Sequence, residues 1–250
     1  MTGKTVLFIS VIVLLFNIVI AQYNLPSYIQ VCRKDDPKLG QCMKKSVEGL
    51  RPYLRSGIKE LDIPPIEPIL IGDLIVSESV PGQGVSITAR DVKAYGPSNF
   101  ILKKLDVVEY AKKYNFKVEL PQLYAEGTYD IDGRILLIPV KGNGRFHGNF
   151  SRALADVRVR NEIVTKPDGQ TYSVVKKIDI KIQVKDGKIR LDNLFGGDRV
   201  LGDVINETIN RNFDILSKEI IPLIERALSK YFKKVGNKIL GTYPESVLFP

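Results

Sequence analysis

The chain contains very few of the residues that bind metals or act as nucleophiles. Its 250 residues include one histidine, two cysteines and no tryptophan. A metal centre built from histidine and cysteine ligands is therefore nearly excluded, because such a site needs three or four of them. The sequence has neither the G-x-S-x-G motif of serine hydrolases nor the H-E-x-x-H motif of zinc peptidases. A hydrolase that uses carboxylates alone would leave no such signature. We expect no catalytic residues, no metal and no cofactor.

The composition excludes a disordered chain and argues against a nucleic-acid partner. Hydrophobic residues make up 44% of the chain and charged residues 26%, which is typical of globular proteins. The formal net charge is +9, but lysine pairs are spread along the sequence and form no stripe that would follow a nucleic acid. A local cluster near the C-terminus either complements a helix dipole or contacts an anionic membrane transiently. It consists of Arg226, Lys230, Lys233, Lys234 and Lys238.

The N-terminus has the pattern of a cleaved export signal. Residues 1–21 combine Lys4 with an apolar stretch, and Val19 and Ala21 suit the positions before a signal-peptidase site. A membrane anchor is the alternative, because the stretch is nearly long enough to span a bilayer. We expect residues 22–250 to form one secreted, extracellular domain, monomeric in solution.

If the chain is exported, its cysteines can form a disulfide and two of its sequence motifs can be glycosylated. Cys32 and Cys42 enclose nine residues and are expected to form one local disulfide in an oxidising compartment. Asn149 and Asn206 each begin an N-x-S/T motif, so both are candidate glycosylation sites.

The hydrophobic pattern changes twice along the chain. Helical spacing follows the second cysteine, with Pro52 expected to kink or break the helix and Gly57 near its end. From about residue 69 to 195 the pattern alternates with a period of two, as in antiparallel strands that bury one face. Six to eight strands are expected, several of them long. Hairpin turns are predicted at residues 132–133, 142–144, 167–169 and 186–187.

The last segment returns to helical spacing over residues 200–237, a length of about 57 Å. Asp198 or Asp203 is a candidate N-cap, and Pro222 is expected to kink this helix. So long an apolar stripe needs a partner, either another helix in a coiled coil or the one-sided sheet. The fold class predicted is α+β: a strongly curved antiparallel β-sheet wrapped around a long C-terminal α-helix, with a short N-terminal helix.

Four segments in order resemble the secreted insect takeout and juvenile-hormone-binding proteins. They are the Cys32/Cys42 pair, residues 57–68 (GIKELDIPPIEP), residues 194–203 (LFGGDRVLGD) and the ending VLFP. The resemblance covers nearly the whole mature chain. It implies a curved sheet around a long helix, related to tubular lipid-binding domains, and a carrier of small lipophilic molecules. The chain lacks the second disulfide typical of juvenile-hormone-binding proteins proper, which favours the takeout branch and its varied ligands.

We expect a terpenoid, fatty acid or similar lipid to bind in an internal tunnel walled by apolar side chains. Several tyrosines, including Tyr124, are candidates to orient a polar end. An ordinary packed core has the same composition. Two alternatives stay open: a cationic membrane- or lipopolysaccharide-binding protein, and a secreted signalling or interaction protein without cargo. The candidate ligand-binding residues are Val47, Leu50, Leu54, Phe116, Val118, Leu120, Tyr124, Ile209, Phe213, Leu216 and Ile220.

Overall fold

The computed structural model describes residues 25–77, 86–135 and 138–250, so the predicted export signal lies outside the described residues. The helices are α1 (Leu39–Ser56), α2 (Arg199–Arg211), α3 (Phe213–Thr242) and α4 (Glu245–Leu248). The strands are β1 (Ile69–Ser77), β2 (Ser86–Tyr95), β3 (Ile101–Glu109), β4 (Lys113–Ile135), β5 (Ile138–Thr165) and β6 (Thr171–Leu191). None of the helices in these ranges is long and apolar enough to cross a membrane.

The six strands form one antiparallel sheet that curls into a half-barrel. Its order is β1-β2-β4-β5-β6, and β3 pairs with the first half of β4 while β2 pairs with the second half. The helix α3 contacts both β6 and β1, which lie at opposite ends of this order. On the other side α1 packs on β3, so closely that a Cβ at Gly40 would lie 2.7 Å from the carbonyl oxygen of Leu105. The curved sheet with a long C-terminal helix and a shorter N-terminal helix is confirmed.

Three of the four predicted turns are wrong, and only 167–169 connects two strands. Residues 132–133, 142–144 and 186–187 lie inside β4, β5 and β6. At least two of these glycines let neighbouring groups lie close to the strand and do not form a turn. A Cβ at Gly144 would collide with the carbonyl oxygen of Asp192, and one at Gly187 would lie 2.5 Å from the ring of Phe213.

The two prolines do not interrupt their helices. The helix α1 runs through Pro52 and ends at Gly57, whose φ of 83° few other residues adopt. The predicted single C-terminal helix is divided at Asn212 into α2 and α3, and Pro222 lies inside α3. Asn212 donates its side-chain amide to the Thr208 carbonyl at 2.8 Å and so ends α2 locally. Asp198 caps the start of α2 by accepting a hydrogen bond from the Leu201 amide at 3.0 Å.

The free edge of β6 is covered by side chains from the helices. Asn206 accepts from the Leu191 amide at 2.8 Å and donates to the Leu191 carbonyl at 2.9 Å. Asn210 makes the same pair of bonds with Ile189, and Asn237 makes it with Val175. An uncovered edge strand would leave these backbone groups open to pairing with another chain.

This arrangement corrects the expectation of a glycan at Asn206. The residue is only 5% exposed, and its side-chain amide also donates to the Gly202 carbonyl at 3.0 Å. A glycan needs that same nitrogen and open space around it. Asn149 is exposed on β5 and stays the candidate glycosylation site.

Two packed clusters lie apart along the half-barrel. One joins Tyr129, Ile131 and Val140 of the sheet to Ile205 and Ile209 of α2. The other lies near the termini, where Ile58, Leu61 and Tyr243 are buried against residues of the N-terminal segment and α1. The disulfide between Cys32 and Cys42 is present and ties the N-terminal segment to α1.

Candidate ligand-binding interior

The wall of the candidate site consists of cross-strand rows of apolar side chains on three long strands. Phe116 of β4 pairs with Val157 of β5, which pairs with Ile180 of β6. The next two rows are Val118–Ala155–Ile182 and Leu120–Ala153–Val184. This face looks inward, because the residues that alternate with it include the exposed Lys117, Asp156 and Lys181.

The inward face shifts phase at the middle of the sheet. Leu120 faces inward, and so does Leu123, which pairs with Phe150 next to the Phe213 ring. Consecutive inward-facing residues are three positions apart here, where a regular strand has them two apart. Pro121 lies in this step on β4, and the neighbouring Arg152 has a φ of 47°, outside the ordinary strand conformation. The shift exchanges the two faces of every residue that follows on β4.

Tyr124 is consequently misplaced in the predicted binding set. It follows the shift, so it faces away from the interior and pairs with the exposed Asn149. Its hydroxyl donates to Glu126 at 3.2 Å, and Tyr95 donates to the same carboxylate at 3.0 Å. Tyr95, Tyr124 and Asn149 border a groove of about 560 Å³ whose lining is mostly polar but includes Leu123 and Phe150.

His147 lies in an adjoining outer depression of about 370 Å³ beside Arg145 and Glu126. Together these groups form a polar surface, and the described residues contain no cluster of metal-binding side chains.

The other predicted residues divide between the wall and the packed ends. Phe116, Val118 and Leu120 lie on the inward rows and are half-buried, as are Val47 of α1 and Ile220 of α3. By contrast, Leu50, Leu54, Ile209 and Leu216 belong to or pack against the two end clusters. Phe213 is buried at the phase shift, with its ring centroid 6.2 Å from that of Phe150.

Most apolar residues in the middle of the interior are half-buried. Apolar residues of α3 share the half-buried state of the wall; they are Ile220, Leu223, Ile224, Leu228, Tyr231 and Val235. The end clusters are built around residues at most 8% exposed, with half-buried residues packed against them. In the wall rows only Ile180 and Ala153 are buried to that degree.

A small polar group lies near the end that α4 closes. Tyr110 donates to Glu245 Oε2 at 3.3 Å, and its ring meets Phe249 edge-on. Burial raises the pKa of Glu245, although the Tyr110 hydroxyl opposes the shift. Burial and the nearby Glu245 carboxylate raise the pKa of Tyr114 to about 12. Both hydroxyls are therefore protonated at physiological pH, and a protonated hydroxyl can donate a hydrogen bond.

Sequence reasoning missed wall residues on β5 and β6, including Val157, Ala155, Ile182 and Val184. Their alternation was visible, but only the pairing register shows which strand faces which. It also missed Phe150, because Phe150 lies inside a glycosylation motif and next to the phase shift.

Comparisons with known proteins identify a family, and relatives that match between 58% and 92% of the chain. The family model described as haemolymph juvenile hormone binding protein matches residues 9–250. The chain is 23% identical over 237 residues to the circadian clock-controlled protein daywake of Drosophila melanogaster, covering 92% of this chain and 90% of that protein. It is 24% identical over 145 residues to a putative beta-carotene-binding protein of Schistocerca gregaria, covering 58% and 57% of the two chains.

A solved structure supports the fold. The crystal structure of Takeout 1 from Epiphyas postvittana matches with a TM-score of 0.77 at 22% identity. The match covers 88% of this chain and 99% of that one.

Proposed function

Because the chain belongs to the haemolymph juvenile hormone binding protein family, we propose that it is a secreted, non-catalytic carrier of one small hydrophobic ligand. In this proposal residues 1–21 are removed on export, and residues 22–250 act as a single monomeric lipid-binding domain. The ligand lies in a tunnel between the sheet, α1 and α3. A relative that is named for binding beta-carotene supports a lipophilic ligand.

The observation that carries this proposal is the half-buried apolar middle between two packed ends. Inward-facing residues such as Val118 and Ile182 have charged neighbours on the opposite face and are themselves only half-buried, whereas each end cluster is built around residues at most 8% exposed. Apolar surface left open in this way favours a ligand by roughly 25 cal/mol for each Å² removed from water.

The ligand class follows from the balance of apolar and polar groups. The wall offers long rows of aliphatic side chains and few hydrogen-bond partners, which suits an extended terpenoid or acyl chain. Tyr114 faces inward near Glu245 and supplies a donor for an oxygen at one end of the ligand. A slender lipid with a single oxygen-bearing end fits this arrangement better than a compact polar molecule.

The experiment enlarges one residue of the wall and one matched residue beside it. Ala155 is half-buried and Ala153 is 3% exposed, and both face inward on β5. In an Ala155→Phe variant the new ring enters the tunnel, so binding of a fluorescent fatty acid falls while stability changes little. In Ala153→Phe the ring has no free space, so stability falls by about 1–3 kcal/mol.

Equal destabilisation by the two substitutions would mean that the middle is a filled core. The carrier proposal would then fail, and a signalling or interaction protein without cargo would be the better explanation. Unchanged fatty-acid binding in a stable Ala155→Phe variant would also contradict the proposal, because it would place the ligand elsewhere.

A further inference from the structure

The outer face of the sheet brings together cations that are far apart in the sequence. Lys113 of β4 lies directly opposite Arg160 of β5, and Arg160 lies directly opposite Lys177 of β6. Side chains in such positions are about 5 Å apart at Cβ, so three like charges in one row destabilise the sheet. Arg158 lies one outward position further along β5.

The carboxylates in this region are shared among more cations than they can neutralise. Asp179 contacts Lys177 at 2.6 Å and Arg160 at 3.7 Å. Hydrogen bonding from Lys177 and the charges of Lys177, Arg160 and Arg158 hold the pKa of Asp179 below its usual range. Glu109 likewise forms ion pairs with two lysines, Lys113 at 3.2 Å and Lys112 at 2.8 Å.

The helix α3 continues the same surface. Lys233 donates to the Lys176 carbonyl at 2.8 Å, and Glu225 contacts Lys181 at 2.9 Å, so residues 225–233 lie along the edge of β6 beside this row. Four exposed cations form one stripe there, at spacings of four, three and one; they are Arg226, Lys230, Lys233 and Lys234. Phe232 is 39% exposed and flanks the stripe, because it lies one residue before Lys233 and is not three or four residues from any of the four cations.

From this juxtaposition we propose that the basic face, formed by Lys113, Arg158, Arg160 and Lys177 of the sheet with Arg226, Lys230, Lys233 and Lys234 of α3, docks on anionic lipid membranes. The face joins cations from four elements that only the fold brings together. The repulsion within it is relieved when lipid phosphates and carboxylates lie opposite.

The exposed aromatic ring favours a bilayer over other anionic partners. At a membrane surface a ring beside lysines enters the boundary between headgroups and acyl chains while the amines stay among the headgroups. This docking site does not depend on the interior ligand, since every group in it faces away from the wall of the tunnel.

The test is flotation of the protein, residues 22–250, with vesicles of phosphatidylcholine alone or with 30% phosphatidylserine. The wild-type protein should bind the phosphatidylserine vesicles, lose most of that binding between 50 and 500 mM NaCl, and ignore pure phosphatidylcholine. A variant carrying Arg160→Gln, Lys177→Gln, Lys230→Gln and Lys234→Gln should bind at least tenfold more weakly. The matched control removes the same charge from exposed positions elsewhere, with Lys45→Gln, Lys59→Gln, Arg199→Gln and Lys218→Gln, and should bind like the wild type.

Equal losses in the two variants would show an effect of net charge alone and would overturn the docking face. So would binding that ignores phosphatidylserine, or binding of heparin and DNA without any binding to vesicles. Both variants should bind the fluorescent fatty acid normally, which separates a failure of this proposal from a failure of the carrier function.

Discussion

The covering of the β6 edge by helix side chains leads to a prediction at Asn206. Its side chain makes three hydrogen bonds while only 5% exposed, and two of them satisfy the amide and carbonyl of Leu191. At about 1 kcal/mol for each bond, Asn206→Ala should lower the free energy of unfolding by about 3 kcal/mol. The opened edge should also promote association between chains.

The assay is urea unfolding followed by far-ultraviolet circular dichroism, because the chain has no tryptophan to report by fluorescence. Thr208→Ala is the matched control, since it destroys the same N-x-S/T motif but keeps the Asn206 amide. We expect the control to stay within about 0.5 kcal/mol of the wild type. If the two variants lose the same stability, the loss comes from the glycosylation motif or the helix, and the edge-covering role is refuted.

Three further predictions concern modification, pH and the disulfide. Enzymatic deglycosylation of protein secreted from eukaryotic cells should remove one glycan, from Asn149, and a Ser151→Ala variant should carry none; a glycan on Asn206 would contradict the buried amide. Since burial raises the pKa of Glu245, the native state holds that proton more tightly than the unfolded chain, whose pKa is about 4.3. Its stabilising contribution is present below that pH and lost as pH rises through the native pKa, so Glu245→Gln should flatten the stability profile from about pH 4 upward; a profile unchanged from the wild type would refute this. Reduction of the Cys32–Cys42 disulfide should cost at most about 3 kcal/mol in denaturant unfolding, and global unfolding on reduction would contradict so local a role.

The fold could be predicted from periodicity because each segment has one apolar face that must be buried. Alternation along β6 and the stripe along α3 indicate a sheet and its cover before any contact is known. The turns are less predictable, since a glycine occurs both in hairpin turns and in strands where a neighbouring group leaves no room for a side chain. Gly187 lies in a strand because the Phe213 ring leaves no room for a side chain, and the sequence alone cannot distinguish that from a hairpin.

The sequence predicts which residues of β4 face the interior only as far as the phase shift at Pro121. Phe116, Val118 and Leu120 lie on the inward face, as the alternation along that half of β4 predicts. Tyr124 faces away from the interior and so does not fit its predicted role of orienting a ligand, since no local signal shows that inward-facing residues are three positions apart at Pro121. Similarly, the role of Asn206 depends on the edge of β6, which is distant in sequence and becomes visible only when the helices are in place.

The most direct test of the carrier function compares native with denaturing mass spectrometry of residues 22–250 secreted from eukaryotic cells. We predict one lipophilic adduct per chain in the native spectrum, lost on denaturation and recovered by extraction with organic solvent. The mass of that molecule would also show which chain length the interior accepts. A clean unliganded mass, unchanged after incubation with fatty acids, terpenoids and quinones, would contradict the carrier function.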